Sequence, residues 1–264
     1  MRNNTKQQHG AGRRVLAGGL LGLLVGLAPC VQAELPGVGF SFSRVVLMET
    51  DKGGASVEVR NNTDIVYLVQ SQIHAADVKA GRPVDEIPGA TAVPFLVLPP
   101  LKRLDPHGEL PLRILPTPMA RERLPTDRES VFFISSKSIP SVPPPSEEKT
   151  ASGGRVVLAL VNSIKLYWRP AGLKKEAMGD VSGALTFSRD GDLLRVRNPS
   201  AYYATFSSLS VGGLALKGDD LQAMVPPRGE QTYRWPAQAS GTAVRWQLID
   251  EYGLTTDEQH STVP

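Results

Sequence analysis

The sequence has little of what metal or redox chemistry requires, since it holds one cysteine, Cys30, in 264 residues. A cysteine-ligated zinc cluster, an iron–sulfur centre and an intrachain disulfide each need more than one thiol, so all three are excluded. No Gly-x-Ser-x-Gly motif occurs, and no histidine stands in a context typical of a catalytic triad. The histidines are far apart and none has the spacing of metal ligands: His9, His74, His107 and His260. We therefore expect no metal, no cofactor and no enzyme activity.

Long hydrophobic runs are also scarce. The mostly apolar run near the N-terminus covers residues 15–28, and its 14 residues are too few to span a bilayer. Basic but no acidic residues precede it, and Val-Gln-Ala at residues 31–33 provides a small-residue cleavage site. This pattern predicts a secretory signal peptide over residues 1–33. Cys30 follows a proline, which fits a lipid anchor poorly, and Arg13–Arg14 alone does not indicate twin-arginine export.

The basic character of the chain comes from this leader, which carries four basic residues and no acidic one. Without it, 231 residues remain, with 25 basic and 26 acidic side chains and a formal charge of −1. A balanced charge gives no electrostatic reason to expect nucleic acid or an anionic membrane as a partner. The mature chain has no cysteine, so it must fold by packing alone, and its length is sufficient for two domains.

Most of the mature chain has the pattern of short strands separated by turns. Residues 40–48, 56–60 and 65–73 are rich in β-branched and alternating apolar residues, and Gly, Asn and Asp clusters lie between them. Helical periodicity is absent over any stretch of 12 or more residues, and residues 121–124 form at most one helical turn. Strands at this spacing predict an all-β protein built from β-sandwiches.

The longest strand predicted from the sequence covers residues 155–168, about 14 residues. Its first half is apolar at both alternating sets of positions, with Val156, Leu158 and Leu160 on one face. A strand buried on both sides within one core has this pattern, and so does an edge strand that offers one face to a partner. Periodicity alone does not separate the two alternatives. Residues 141–155, which precede it, are polar and proline-rich and are predicted to form a mobile loop.

Five segments, taken together and in order, resemble the signature segments of the periplasmic pilus-assembly chaperones. They include the motifs Pro-Pro-x-x-Arg-Leu-x-Pro, Leu-Pro-x-x-Arg-Glu-Ser, Asn-Pro-x-x-Tyr-Tyr and Asp-x-Tyr-Gly. In chain order the segments are 99–106, 124–133 with 139–140, 164–170, 198–203 and 250–253. The sequence departs from the family at Ser135 and Ser136, where the family usually carries Asn or Cys and then an aliphatic residue.

The resemblance implies two immunoglobulin-like β-sandwich domains in an L or boomerang arrangement. We predict a signal peptide at residues 1–33, an N-terminal domain with a donor strand at 34–170 and a C-terminal domain at 171–264. The cleft between the domains holds the C-terminus of a pilin subunit in this family.

The resemblance also assigns roles to residues near this cleft. Arg44 and Lys165 match the family's two cleft cations, and a pair of cations in a partly desolvated cleft is suited to a terminal carboxylate. Val156, Leu158 and Leu160 match the side chains that the family donates to the incomplete core of a pilin, so the resemblance favours the edge-strand alternative. Strand addition of this kind combines backbone hydrogen bonds with apolar side chains that fill pockets.

Two further groups of residues match family positions. Glu129, Arg169 and Glu251 match an ionic link between the domains, although Asp250 is adjacent and could take the place of Glu251. The residues that match the surface facing the outer-membrane usher are Pro99, Pro100 and Arg113.

The sequence thus predicts a periplasmic chaperone that stabilises pilin subunits and delivers them to an usher. The alternative is a secreted two-domain binding module, for sugar or protein, without chaperone activity. A pilus subunit is less consistent with the sequence, because its C-terminal end, Ser-Thr-Val-Pro, has the pattern of a frayed tail. Because the donor strand is apolar on both faces, we also expect the free chaperone to self-associate through it.

Overall fold

The computed structural model describes residues 37–84, 93–141 and 157–264. The predicted signal peptide, residues 142–155 of the predicted loop and the predicted donor residue Val156 lie outside the described residues. In the described ranges before residue 170, ten strands form a first sandwich. They are β1 (Val38–Phe40), β2 (Arg44–Met48), β3 (Ala55–Asn61), β4 (Tyr67–Asp77), β5 (Arg82–Pro83), β6 (Phe95–Leu98), β7 (Leu101–Leu104), β8 (Glu109–Pro116), β9 (Ser130–Pro140) and β10 (Leu160–Arg169).

One sheet of the first sandwich has the strand order β1-β3-β8-β6 and the other has the order β2-β10-β9-β4, with β5 and β7 both paired to β4. The apolar residues of each strand alternate with polar ones, so that Val57, Val59, Leu112 and Ile114 point into the space between the sheets. Trp168 lies in the same core. The apolar run at residues 131–134 predicts a buried central strand, and this prediction is confirmed, because β9 lies between β10 and β4.

Eight strands after residue 185 form a second sandwich. They are β11 (Thr186–Asp190), β12 (Leu193–Asn198), β13 (Ala204–Val211), β14 (Leu214–Ala215), β15 (Met224–Val225), β16 (Gly229–Arg234), β17 (Ala243–Leu248) and β18 (Gln259–Thr262). One sheet has the order β11-β12-β16 and the other β14-β13-β17-β18, with β15 paired to β13. Aromatic side chains fill the core, where the rings of Phe187 and Trp246 lie 4.4 Å apart. Both sandwiches are of the immunoglobulin-like type, as the sequence predicted.

Short helices complete the described structure. α1 (Pro118–Arg123) begins with a proline in its first turn and ends with basic side chains, which suits the partial charges at the two helix ends. α2 (Met178–Ala184) was not predicted, because seven residues that include two glycines show no helical period. Met178 and Val181 bury it against the second core. A single 3₁₀ turn covers Asp220–Gln222.

The C-terminal segment differs from the sequence-based expectation. We expected a frayed tail, but Ser261 and Thr262 pair with β17 and Val263 is buried in the second core. The segment extends the sheet because Ser261 lies opposite Val244 in the antiparallel register.

The first strand predicted from the sequence is divided in two. The chain bends at residues 41–43, so that β1 pairs with β3 in one sheet while β2 pairs with β10 in the other. Ser41 donates its amide to the carbonyl of Glu58 at the bend. Residues 40–48 were predicted as one strand because apolar residues occur on both sides of the bend. Such a pattern does not reveal that the chain changes sheets at residues 41–43.

The prediction that residues 155–168 form the longest strand is wrong for the described residues. β10 begins at Leu160 and has 10 residues, whereas β4 and β9 have 11 each. Residues 157–159 precede the strand without regular structure. The alternative in which this segment is buried on both sides is also wrong, since Leu158 is 74% exposed and Val161 is 62% exposed.

Within residues 37–84, 93–141 and 157–264, no helix is long and apolar enough to cross a membrane. The same residues contain no group of three or more His, Cys, Asp or Glu side chains that could hold a metal ion.

Candidate functional site

The second half of β10 places charged side chains between the two sandwiches. Because strand side chains alternate, Ile164, Leu166 and Trp168 point into the first core, whereas Lys165 and Arg169 lie on the opposite face. This opposite face of β10 meets the second sandwich. Two clusters of charge form there, one around each cation.

The first cluster joins Arg169 to two carboxylates. Its Nε donates to Glu129 Oε1 at 2.6 Å, and its Nη1 donates to Glu251 Oε1 at 3.1 Å. Glu129 immediately precedes β9 of the first sandwich, whereas Glu251 follows β17 of the second. Asp250 does not take this place, because its carboxylate accepts the amides of Tyr252 and Leu254 within its own turn.

The groups of this first cluster are buried and have hydrogen-bond partners. Glu129 also accepts the amide of Tyr203 at 2.8 Å, and Glu251 accepts the amide of Ala177 at 2.8 Å. Desolvation raises the pKa of Glu129, and the charge of Arg169 opposes the shift. A buried ion pair is maintained only when such additional hydrogen bonds are present, and here they connect residues of both sandwiches.

The second cluster contains Arg44 and Lys165. β2 and β10 are parallel, and these two residues are direct partners in the register. Lys165 Nζ donates to Thr205 Oγ1 at 3.2 Å and to the carbonyl of Gln222 at 3.3 Å. Arg44 Nη1 donates to the carbonyl of Ile249 at 2.9 Å. The two cations therefore belong to the first sandwich, while the oxygens that accept their hydrogen bonds belong to the second.

A cleft of about 470 Å³ opens at these two cations. Its walls come from both sandwiches, and no carboxylate is among the residues that line it. Arg44 Nε is buried and has no hydrogen-bond partner among the residues that the structure describes. The lining residues are Ser43, Arg44, Gly81, Phe133, Ser163, Ile164, Lys165, Thr205, Phe206, Ser207, Gly218, Leu221, Gln222 and Ile249.

The electrostatics of the cleft favour an anion. Desolvation and, to a smaller extent, the nearby charge of Arg44 together lower the pKa of Lys165 to about 7. Burial penalises an ammonium group that has only neutral oxygens as partners. A carboxylate bound between the two cations would replace the missing counter-charge.

The edge of β10 is open beside this cleft. β2 pairs with β10 only from Lys165 to Arg169, whereas β9 pairs with it from Leu160 onward. Among the described ranges, no strand pairs with residues 160–164 on the side away from β9. Leu158 and Leu160, two of the predicted donor residues, are 74% and 48% exposed, and the third, Val156, lies outside the described residues.

The residues that match the usher-facing surface lie together at the end of β6. Pro99 and Pro100 follow this strand, and Leu98 is the register partner of Arg113 on β8. Arg113 is exposed, and its Nε donates to the carbonyl of Gly53 at 2.9 Å. Leu98, which the sequence did not single out, is also exposed on this face.

Sequence reasoning missed the partners that the second sandwich supplies. Thr205 Oγ1 lies 3.2 Å from Lys165 Nζ and 3.4 Å from the hydroxyl of Tyr167, and Arg44 stands 5.7 Å from the centre of the Tyr167 ring. Thr205 follows the Asn-Pro-x-x-Tyr-Tyr motif closely, which is the one signal in the sequence near it. The carbonyls of Gln222 and Ile249 leave no signal, because every residue has a carbonyl.

Comparisons with known proteins agree with this architecture. Residues 37–174 match the model of the pili and flagellar-assembly chaperone, PapD N-terminal domain, and residues 180–260 match that of the pili assembly chaperone PapD, C-terminal domain. The chain is 33% identical over 239 residues to the chaperone protein FimC of Escherichia coli K12, covering 90% of this chain and 89% of that protein.

Solved structures give the same result. A chain from the complex of the Salmonella enterica SafA pilin with the SafB chaperone superposes with a TM-score of 0.70 at 29% identity, over 87% of this chain and 98% of that one. The E. coli chaperone DraB superposes with a TM-score of 0.67 at 31% identity, over 86% of this chain and 98% of that one. Nothing in these comparisons supports the alternative of a secreted sugar- or protein-binding module. The two domains, their order and their similarity over nearly the whole described chain show that the protein belongs to the PapD-like family of pilus-assembly chaperones.

Proposed function

We propose that the protein holds an incomplete pilin subunit by two contacts that act together. Arg44 and Lys165 bind the terminal carboxylate of the pilin, and the open edge of β10 pairs with the last strand of the pilin. Val156, Leu158 and Leu160 then insert their side chains into the gap in the core of the pilin. The protein performs no chemical reaction in this process.

The observation that carries the proposal is a cleft with two cations and no carboxylate, directly beside an unpaired strand edge. Buried charges are normally paired, so two cations that share a cleft without a counter-ion point to an anion from outside. Each aliphatic side chain that becomes buried adds roughly 1.5–3 kcal/mol, so the donor side chains and the carboxylate together can hold a subunit that does not fold stably alone.

The ionic link contributes by fixing the geometry of the cleft. Arg169 lies four residues after Lys165 on the same strand, and its two carboxylate partners belong to different sandwiches. We infer that this link sets the angle between the domains, with the boundary between them at residues 170 and 171. The cations and their acceptors are thereby kept within hydrogen-bond distance.

The proposed function also includes delivery of the pilin to an usher and export of the chain to the periplasm. The surface around Pro99, Pro100 and Arg113 faces the outer-membrane usher, to which the chaperone delivers its pilin. The leader at residues 1–33 directs the chain to the periplasm and is removed there. In the absence of a pilin, the open edge of β10 pairs with a second copy of the chain.

Co-purification tests the proposal. The full chain is produced in a bacterial periplasm together with pilins encoded beside it, and a tag on the chaperone recovers the complex. We expect a 1:1 complex with the wild type and its loss in Lys165→Ala and in Arg44→Ala. Lys102→Ala, which removes an exposed lysine on β7, serves as the matched control and should retain the complex. Recovery of normal complex with Lys165→Ala, at an unchanged melting temperature, would contradict the carboxylate clamp.

A further inference from the structure

A cavity of about 540 Å³ lies at the tip of the second sandwich that is remote from the first. It is lined by the hairpin that joins β11 to β12 and by residues at and after the end of β16. β12 runs from Leu193 at this tip to Asn198, and soon after Asn198 the carbonyl of Ala201 accepts the amide of Glu129 from the first sandwich. The length of β12, roughly 17 Å, therefore separates the cavity from the first sandwich. We call it the tip cavity.

An arginine in the tip cavity is held in place by an aromatic ring and by the hairpin. The Arg189 guanidinium lies over the Trp235 ring, 4.4 Å from its centre, and Arg189 Nε donates to the carbonyl of Gly191 at 2.9 Å. The Trp235 amide donates to the carbonyl of Asp192 at 2.8 Å, which fixes the ring to the hairpin. A guanidinium that is stacked on an aromatic face is pre-organised, so it loses little freedom when its other N–H groups bind an acceptor.

The positive charge of the tip cavity exceeds its negative charge. Arg234, at the end of β16, lines the cavity together with Arg189, and both side chains are exposed. Neither arginine forms an ion pair within the described ranges, whereas two carboxylates pair with the neighbouring Arg195 of β12. Among the residues that line the cavity, Asp192 supplies the one carboxylate. Two cations and one anion thus leave a net charge of about +1 at the cavity.

These side chains indicate the chemistry of a ligand. The two oxygens of a carboxylate are saturated by one guanidinium fork, whereas a phosphate has enough oxygens for forks from two different strands. An ionised carboxylate such as Asp192 only accepts hydrogen bonds, so it suits a hydroxyl group beside the phosphate. Leu193 is 41% exposed on the cavity wall and offers an apolar surface to the carbon atoms between these two groups.

We propose that the tip cavity binds a phosphate ester that carries a neighbouring hydroxyl group. Arg189 and Arg234 donate to the phosphate oxygens, Asp192 accepts the hydroxyl, and Leu193 contacts the carbon skeleton. The site is independent of the proposed function, because it lies at the opposite end of the second sandwich from the cleft cations. A phospholipid headgroup and a free polyol phosphate share this chemistry.

Fluorine NMR of the full chain labelled with 5-fluorotryptophan tests the proposal. The chain has three tryptophans, and Trp235→Phe assigns the signal of the ring at the cavity. The probes are glycerol 3-phosphate and inorganic phosphate. We expect glycerol 3-phosphate to shift the Trp235 signal to saturation and to leave the signals of Trp168 and Trp246 in place, because neither of these rings lines the cavity. An anion that binds at Lys165 would not move the Trp235 signal, so the two sites are distinguished.

Variants of the lining residues identify the groups that bind. Arg189→Gln and Arg234→Gln should each weaken binding of glycerol 3-phosphate about tenfold, because each loses charge-assisted hydrogen bonds. Arg197→Gln removes an exposed arginine of β12 outside the cavity and is the matched control, with the affinity of the wild type. The wild type should prefer glycerol 3-phosphate to inorganic phosphate, and Asp192→Asn should abolish this preference. A Trp235 signal that glycerol 3-phosphate does not move, or equal weakening by Arg197→Gln, would overturn the proposal.

Vesicles distinguish the two sources of the ester. Flotation of the wild type, but not of Arg189→Gln, with vesicles of phosphatidylglycerol and phosphatidylcholine would support a lipid headgroup as the ligand. Binding of glycerol 3-phosphate at the cavity without such flotation would support a free ester. Vesicles of phosphatidylcholine alone are the control, because their headgroup has no hydroxyl and their net charge is zero.

Discussion

The two charge clusters on β10 lie four residues apart and differ in one respect. Arg169 is paired with Glu129 and Glu251, and all three side chains are nearly inaccessible to solvent. Lys165 and Arg44 are also largely buried, but their hydrogen bonds go to a hydroxyl and to carbonyls, and no carboxylate lines their cleft. One cluster has its counter-charges within the chain, and the other has no carboxylate partner in the part of the chain that the structure describes.

This difference is why we propose a structural role for the Arg169 cluster and a binding role for the Arg44–Lys165 cluster. Removing one member of a complete buried ion pair leaves an uncompensated charge, so such a cluster is expected to be sensitive to mutation. A cluster with excess positive charge is already unfavourable in the free protein, so removing a cation is expected to cost little stability and to abolish binding of an anion. Measuring both stability and anion binding for variants of Arg169 and of Lys165 can therefore test whether the two clusters have different roles.

The largest effect is expected at Arg169. Arg169→Met leaves Glu129 and Glu251 buried without their cation and should lower the free energy of unfolding by about 3–5 kcal/mol. Lys165→Met, the same substitution four residues earlier on β10, should leave the free energy of unfolding unchanged or raise it. Urea unfolding followed by tryptophan fluorescence measures both variants. Equal destabilisation by the two substitutions would remove the distinction between the clusters.

A carboxylate introduced beside Arg44 and Lys165 should give their cluster the internal counter-charge that the Arg169 cluster already has. Lys165 Nζ donates a hydrogen bond to Thr205 Oγ1 at 3.2 Å, so Thr205→Glu places a carboxylate next to this ammonium group. We expect the affinity for a peptide with a free C-terminal carboxylate to fall by more than tenfold, because the introduced carboxylate competes for both cations. Thr205→Gln is the control of matched size without charge. It should bind a fluorescent peptide that has a free C-terminal carboxylate more tightly than Thr205→Glu does, as measured by fluorescence anisotropy. If the two variants bind equally, charge is not the cause.

Binding of a carboxylate should weaken as the pH rises above neutral. The pKa of Lys165 is lowered to about 7 by desolvation and by the charge of Arg44. In the protein without a bound anion, Lys165 is therefore mostly charged below pH 7 and mostly neutral above it. An anion binds the charged form, and affinity should therefore decrease about tenfold between pH 6 and pH 8, because the charged fraction falls by that factor. Isothermal titration calorimetry in this range measures the affinity and the proton uptake.

A matched variant isolates the lysine in this experiment. Lys165→Arg keeps a cation that does not titrate near neutral pH, so its affinity should be independent of pH from 6 to 8. A pH-independent affinity in the wild type would show that Lys165 remains charged in the free protein. The same lowered pKa predicts that unfolding becomes more costly as the pH rises from 7 toward 10.5, since the unfolded chain then holds a proton that the folded chain has released.

The sequence pattern predicted many of the strands for local physical reasons, whereas the residues of both clusters were assigned by resemblance to the family. Alternation marks a strand such as β3, whose burial follows the apolar positions, and motif resemblance pointed to Lys165 and Arg169. The bend at residues 41–43 was missed because the apolar pattern is the same on both sides of it. The start of β10 at Leu160 was missed because apolar alternation continues into residues 157–159, which have no pairing partner among the described strands. The acceptors of the cleft cations were missed because two of the three are main-chain carbonyls.

The bend at residues 41–43 has a consequence for how β10 is shared. β2 covers five residues of this strand, from Lys165 to Arg169, and leaves five before them uncovered. Each residue by which β2 grew at its N-terminal end would shorten the uncovered length by one. If the chain did not change sheets there, a longer β2 would pair with the whole of β10 and close this edge of the sheet. The proposed pairing of β10 with a pilin thus depends on the chain leaving its own sheet incomplete at one bend.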